Sequence, residues 1–337
     1  MARFEIIDGK AIIPQWKKEI GVGDFRNCED LRSVVIPSSV TKIQCQAFSR
    51  CRNLTSIEIP ASVTEIDSGA FQDCPRLSHI TISPDNENYY SPSPDNENYY
   101  SPDECNVIIE KESETLIIGC QNSIIPPTVK KIGSCAFWHC TGLESINIPD
   151  SVEEIGEEAF YDCKGLEEIT IPDSVTTMGE GVFRGCSGLT RVILSNKITE
   201  IPKGLFYDCT GLKGIEIPDS VKIIKDSAFE GCSSLQSVGI GKSVKEIERD
   251  VFSGCTSLSS IIIPDSVKKI GTAFYSCPNL RLVCIKNAKV LNDTGLNSDV
   301  KIVNPSASEA ERESWSDKEH DLAILYMLNY ELGPVDE

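Results

Sequence analysis

Fifteen cysteines and three histidines are the side chains of this 337-residue chain best equipped for nucleophilic, redox or metal chemistry. His79, His139 and His320 stand far apart in sequence, and no H-x-x-E-H or C-x-x-C spacing gathers them into a zinc set. No glycine-rich phosphate loop is present either. Paired carboxylates recur, but without a partner base. No catalytic residue, metal ligand or cofactor is therefore expected, and the chain reads as a non-enzyme.

The cysteines carry a different message. Cys28, Cys51 and Cys74, and then Cys140, Cys163, Cys186, Cys209, Cys232 and Cys255, follow one another at 23 residues, with Cys277 at 22. A phenylalanine stands three residues before each, from Phe25 to Phe274, and Phe4 alone lies off this ladder. A period of 23 belongs to stacked repeats. A cysteine at a fixed place beside a core phenylalanine is a small buried hydrophobe. In-register copies have parallel side chains, which is wrong for a disulfide. Cys105 and Cys120, off the ladder, are the one pair placed to bridge.

One repeat, "CTGLESINIPDSVEEIGEEAFYDC" from Cys140 to Cys163, shows what positions these residues. Ile146 and Ile148 alternate with outward residues, as in a strand with one buried face. Pro149 lacks an N–H and ends the strand. Val152 and Ile155 re-enter the core, the Ser151 hydroxyl is placed to bond the turn backbone, and "GEEAFYDC" reads as a short outer helical turn. Eight of 23 positions are apolar, too few for a repeat to fold alone and enough once neighbours stack.

About ten such repeats fill residues 1–304, after a degraded first copy in which Lys17 and Asp24 replace apolar residues. An insertion at 83–119 interrupts them. It opens with "SPDNENYYSP" written twice, at 83–92 and 93–102, whose turn-forming residues read as an exposed loop. Val107–Ile109 and Leu116–Ile118 then flank a charged turn, the pattern of a β-hairpin.

The motif C-x-x-L-x-x-I-x-I-P-x-S-V-x-x-I-G-x-x-A-F-x-x-C resembles the treponemal class of leucine-rich repeats, the BspA-like proteins, over roughly residues 5–285. The "YYSPDECNVII" entry and "TLII" return of the hairpin are similar to an insertion common in that family. The expected fold is an α/β solenoid: a right-handed leucine-rich-repeat superhelix with a concave parallel sheet, outer helical turns, one inserted hairpin and a C-terminal helix. The resemblance implies adhesion or protein binding, frequent export, and host-associated microbes. The start "MARFEIIDGKAIIP" holds no apolar leader. Two locations stay open: secreted or surface-displayed if a leader has been removed, cytoplasmic if Met1 is the native start.

Residues 305–337 change in composition. Ser316 and Glu319 form a capping-box pattern ahead of "LAILYMLNY", so a helix is expected at about 317–332. Its expected role is to cap the open end of the solenoid, with a partner or a second copy of the chain as the alternative. The net charge of −19 is concentrated in this segment and in the insertion, and no basic stripe suits nucleic acid. No apolar run is long enough to insert in a membrane.

What remains for binding is surface. Outward strand positions, from Ser33 and Val35 to Ser260 and Ile262, should form one continuous face. Glu58, His79, Asn147, Glu168, Thr170, Arg191, Ile193 and Glu216 are its candidate partner-binding residues. Tyr89, Tyr90, Tyr99 and Tyr100 in the insertion are the rival set, tyrosine being a favoured contact residue. The expected partner is a protein, including one from a host, or a glycan. The chain is expected to be a monomer, with an intracellular scaffold as the alternative function.

Overall fold

A computed structural model describes residues 4–90 and 106–330. The chain divides into two compact units, 1–188 and 189–337. Both are built from coils of parallel strands stacked at the 23-residue register. In the first, Ser56–Ile59 pairs in parallel with His79–Ile82, Ser56 facing His79 and Ile59 facing Ile82. Ser33–Val35 pairs likewise with Lys10–Ile12. In the second, Gly214–Glu216 pairs with Ser237–Gly239, and Ser260–Ile262, Leu282–Cys284 and Lys301–Val303 form a three-stranded ladder. The repeat therefore continues past Cys277, where its sequence pattern fades.

This sheet is not continuous. Residues 145–147 form no strand, and the pairing breaks into ladders of two or three strands. A second row of two-residue strands is more regular. Glu200–Ile201, Ile223–Ile224, Glu246–Ile247 and Lys269–Ile270 make an unbroken four-stranded parallel ladder in the second unit. Proline closes the corner between the two rows: Val221 N–H donates to Pro218 O and Val267 N–H to Pro264 O, each at 3.1 Å. With the turn closed by its own backbone, the serine hydroxyl beside it has nothing to bond. Ser62, Ser151, Ser174, Ser220 and Ser266 each bury an unpartnered Oγ, so the bond expected of Ser151 does not form.

The outer segments are single i→i−3 turns that never propagate into helix. Residues two before and two after each ladder phenylalanine from Phe25 to Phe252 hold positive φ: Gln46 and Arg50 around Phe48, and Ser227 and Gly231 around Phe229. A helix cannot pass through either position. The turns bond to the next coil instead, Phe48 N–H donating to Ala70 O at 2.8 Å and Phe229 N–H to Val251 O at 2.9 Å. Inside, the rings stack in parallel: Phe25, Phe48 and Phe71 at 5.0 Å intervals, and Phe206, Phe229 and Phe252 at 5.5 and 5.7 Å. Phe4, off the sequence ladder, joins the end of its stack 4.9 Å from Phe25. Asp24 of the degraded copy is buried and paired with Lys17 at 3.1 Å.

The insertion forms Tyr89–Tyr90, Ile108–Glu110 and Thr115–Ile118 in antiparallel order, and the last of these joins the second row beside Lys131–Ile132. Residues 83–90 of the repeated phrase are not a simple exposed loop. Asn86 is buried, donating to Pro60 O and Val63 O and accepting from the N–H groups of Asn88 and Tyr89. The second copy, 93–102, lies outside the described residues.

After Asn304 come α1 (Glu309–Arg312) and α2 (Asp317–Tyr330). Ser316 precedes α2 as expected, but its N–H and hydroxyl both donate to the Glu319 carboxylate, each at 2.7 Å. The placement of α2 departs from the capping expectation. It packs on the outward side of the last three sheet strands, where Leu322, Ala323 and Tyr326 cluster with Ile262, Cys284 and Val303. Ile302, at the inward position of the final strand, stays 39% exposed, so α2 leaves that end open.

Candidate functional site

Alternation along each short strand decides which side chains face outward. In the second unit Val192 and Ile215 are buried, so Arg191, Ile193 and Glu216 must project from the sheet, and all three are exposed. Between them lies a hollow of about 510 Å³, lined also by Asn196, Gly214 and Ser237. Glycine makes its floor. A Cβ on Gly214 would stand 2.7 Å from Ser237 Oγ, and one on Gly239 would collide with the Glu216 carboxylate. That carboxylate therefore lies flat over Gly239. Neither Arg191 nor Glu216 has an ion-pair partner among the described residues. At the 23-residue register their backbone positions are diagonal neighbours about 8 Å apart.

The first unit presents its own candidates separately. Glu58, His79, Asn147, Glu168 and Thr170 are all exposed. Glu58 stands beside Thr81 and His79 beside Ser56 in the ladder, and His79 Nδ1 lies 3.0 Å from Ser78 Oγ. Asn147 sits where the sheet is interrupted.

Of the tyrosine set, two members are described. Tyr89 is 3% exposed, and its hydroxyl accepts the Ile66 N–H at 2.9 Å, so it closes the end of a strand row and is unavailable to a partner. Tyr90 is half-buried with its hydroxyl 2.9 Å from Thr128 Oγ1. Tyr99 and Tyr100 lie outside the described residues.

Cysteine chemistry is likewise closed off. All fourteen described cysteines are free thiols; Cys105, the one candidate to bridge Cys120, lies outside the described residues. The ladder thiols do more than fill space. Cys51 Sγ donates to Phe25 O, Cys163 to Phe137 O and Cys232 to Phe206 O, each at 3.1 Å. Burial pushes the Cys186 thiol up to about 12, leaving almost no reactive thiolate. His139 is held between Asp162 at 3.1 Å and Asp73 at 3.5 Å, a bridge between coils. No group of His, Cys, Asp and Glu among the described residues is arranged to hold a metal ion. No described helix is long and apolar enough to cross a membrane.

The residues that sequence reading missed are those under α2. Tyr326 OH donates to Asp265 Oδ1 and Tyr330 OH to Ile240 O, each at 2.7 Å, while Lys301 pairs with Glu319. Burial, with the Glu216 and Asp219 carboxylates adding to it, pushes the Tyr330 hydroxyl up to about 12. A signal was present: the outward row Ile262, Cys284 and Val303 is apolar throughout, which an uncovered sheet face would not favour.

Known proteins carry the same design. A crystal structure of a leucine-rich repeat protein from Eubacterium ventriosum is 25% identical, with a TM-score of 0.59 over 78% of this chain and 80% of that one. A leucine rich cell surface protein from Faecalibacterium prausnitzii is 34% identical, with a TM-score of 0.55 over 74% of this chain and 58% of that one. A leucine-rich repeat protein from Bacteroides ovatus is 30% identical, with a TM-score of 0.54 over 80% and 63%. The chain thus spans less than two thirds of the last two. No curated protein matches it. The BspA type leucine-rich repeat region matches in six copies over residues 10–94, 117–222 and 199–298. With its periodic core, stacked coils and matched repeats, the chain belongs to the BspA type leucine-rich repeat family.

Proposed function

We propose that the chain is a non-enzymatic binding module that captures a protein partner on the sheet face of its second unit. Arg191 and Glu216 supply the charged contacts and Ile193 the apolar one. The observation that carries this reading is the hollow itself. Two opposite charges without an ion pair among the described residues flank an exposed isoleucine, beside a floor kept low at Gly214. A partner carrying one acidic and one basic group around an apolar side chain would satisfy all three. Rigid placement reduces the ordering cost of binding, and arginine is a favoured hot-spot residue. One relative is described as a cell surface protein, and a surface adhesion role for this chain follows the same reading.

The test is pull-down with the full chain, followed by titration of whatever partner is captured. Arg191→Glu and Glu216→Lys should each weaken it by about 2 kcal/mol or more, roughly thirtyfold. Deletion of residues 93–102 should leave capture unchanged. Loss of capture with the deletion alone would transfer the site to the insertion.

A further inference from the structure

The last sheet strand of the second unit, Lys301–Val303, is bonded on one side only. Lys301 N–H donates to Arg281 O at 2.7 Å, and Val303 O accepts from Ile285 N–H at 3.0 Å. These two residues turn their backbone groups to the strand before. Neighbouring residues of a strand point their N–H and C=O to opposite edges. Those of Ile302 therefore face away from the stack, and neither has a partner among the described residues. The Ile302 side chain lies in the inward row of Ile215, Ile261 and Val283, which are at most 4% exposed, yet it is itself 39% exposed. Leu296 and Val300 of the same coil are only half-buried. The second unit thus ends on a bare strand edge and an unfinished core.

The first unit begins differently. Ile6–Ile7 folds back antiparallel on Lys10–Ile12, and Phe4 stacks on Phe25. That edge strand is two residues long, with Glu5 before it and Asp8 after it, a form that resists further pairing.

We propose that Lys301–Val303 pairs antiparallel with the same strand of a second copy of the chain, about a two-fold axis at Ile302. The edge is self-complementary. Ile302 brings one donor and one acceptor, and Ile302 of the second copy brings the matching acceptor and donor. Both side chains then lie on the inward face, where each covers the other. Beside them Lys301 meets Val303 of the second copy, Val300 meets Asn304, and Asp299 meets Pro305, so no like charges stand opposite. Lys301 is already paired with Glu319 of its own helix. A loose extended peptide gains the same two hydrogen bonds but brings no coil end to cover Leu296 and Val300, which favours the second copy. The dimer carries two Arg191 hollows, so a partner with two matching sites binds it by avidity. That consequence rests on the sheet-face reading of function. The pairing itself does not, and its test needs no outside partner.

The test is sedimentation of the full chain from about 1 to 200 μM. One coil end is a small surface, so the expected dissociation constant is about 10 μM, with the mass rising to two chains and no further. Ile302→Pro removes the N–H that faces the second copy. The bonds of Lys301 and Val303 to the preceding strand remain, and proline is tolerated on such an edge. This variant should stay monomeric over the whole range, with an unchanged circular dichroism spectrum. Ile302→Cys keeps the N–H. Across the two-fold axis the two Cα atoms stand about 5.5 Å apart, within reach of a disulfide, so oxidised glutathione should link the chains in pairs. A wild-type mass of one chain at the highest concentration overturns the proposal, as does growth beyond two chains, which is stacking head to tail. A dimer that survives Ile302→Pro, or an Ile302→Cys variant that does not cross-link, overturns the pairing about Ile302.

Discussion

At the scale of single residues, the cysteine ladder shows how one atom type serves two needs. Most ladder thiols fill a small berth beside a phenylalanine and donate to the carbonyl of the phenylalanine one coil earlier, as Cys255 does to Phe229 O at 3.3 Å, while Cys140 reaches Gly119 O instead. Serine could make the bond but would put a more polar atom in the core; alanine could fill the berth but would leave the carbonyl only the backbone N–H that it already accepts, as Phe229 O does from Cys232 at 3.2 Å. Burial also raises the thiols, Cys277 to about 11 and Cys284 to about 12. In denaturant without reductant, a thiol assay should therefore count at least fourteen of the fifteen cysteines, while the native protein reacts slowly at pH 8. A denatured count near five would mean a cross-linked ladder.

At the scale of elements, the insertion and α2 each hang on a few buried polar groups. Asn86 ties the first copy of the repeated phrase to the coil before it, with two donated and two accepted hydrogen bonds. The same ten residues recur at 93–102, so an identical set of donors and acceptors exists for that berth. Asn86→Ala alone should lower the melting temperature by only a degree or two, because Asn96 can serve in its place. Asn86→Ala with Asn96→Ala should cost about 2 kcal/mol or more, from bonds lost with buried partners left unmet. Equal shifts for the single and double variants would show that the second copy cannot take the berth. For α2 the anchor is Glu319, which is buried beside Lys301. Burial alone would raise its carboxyl, but the Lys301 ammonium and the Ser316 donors outweigh it and hold the group at about 2, below its ordinary 4.5. A depressed carboxyl stabilises the folded form above its unfolded value, and that contribution is lost as pH falls. Docking of α2 should therefore be intact above pH 4.5 and weaken toward pH 2. Emission from Trp315, with Trp16 and Trp138 replaced by phenylalanine, should follow that transition, and Glu319→Gln should remove it.

At the scale of the whole molecule, the described coils within each unit are tied to one another on three sides: the sheet strands, the two-residue strands, and the turns before the ladder cysteines. The third ladder is the unexpected one. If those turns were isolated helical turns, their amides would exchange with solvent readily. Since Phe229 N–H donates to Val251 O and Phe252 N–H to Ala273 O, each at 2.9 Å, these amides should exchange as slowly as those of Ile224 and Ile247. Rapid exchange at the phenylalanine amides would refute the third ladder. The 23-residue period, the apolar spacing within it and the proline after each strand made the coil legible from sequence, because they are local demands that each repeat must meet for itself. The outward positions of Arg191, Ile193 and Glu216 were legible for the same reason, since strand alternation has only two faces. Three things were not. Helix against turn depended on positive φ at Gln46 and Arg50 and their equivalents, a conformation fixed by bonding to the next coil. The burial of Tyr89 depends on a strand end at Ile66, 23 residues earlier, which no local pattern shows. The berth of α2 was settled by where Ile262, Cys284 and Val303 came to lie side by side, an apolar row that exists only after the coils have stacked.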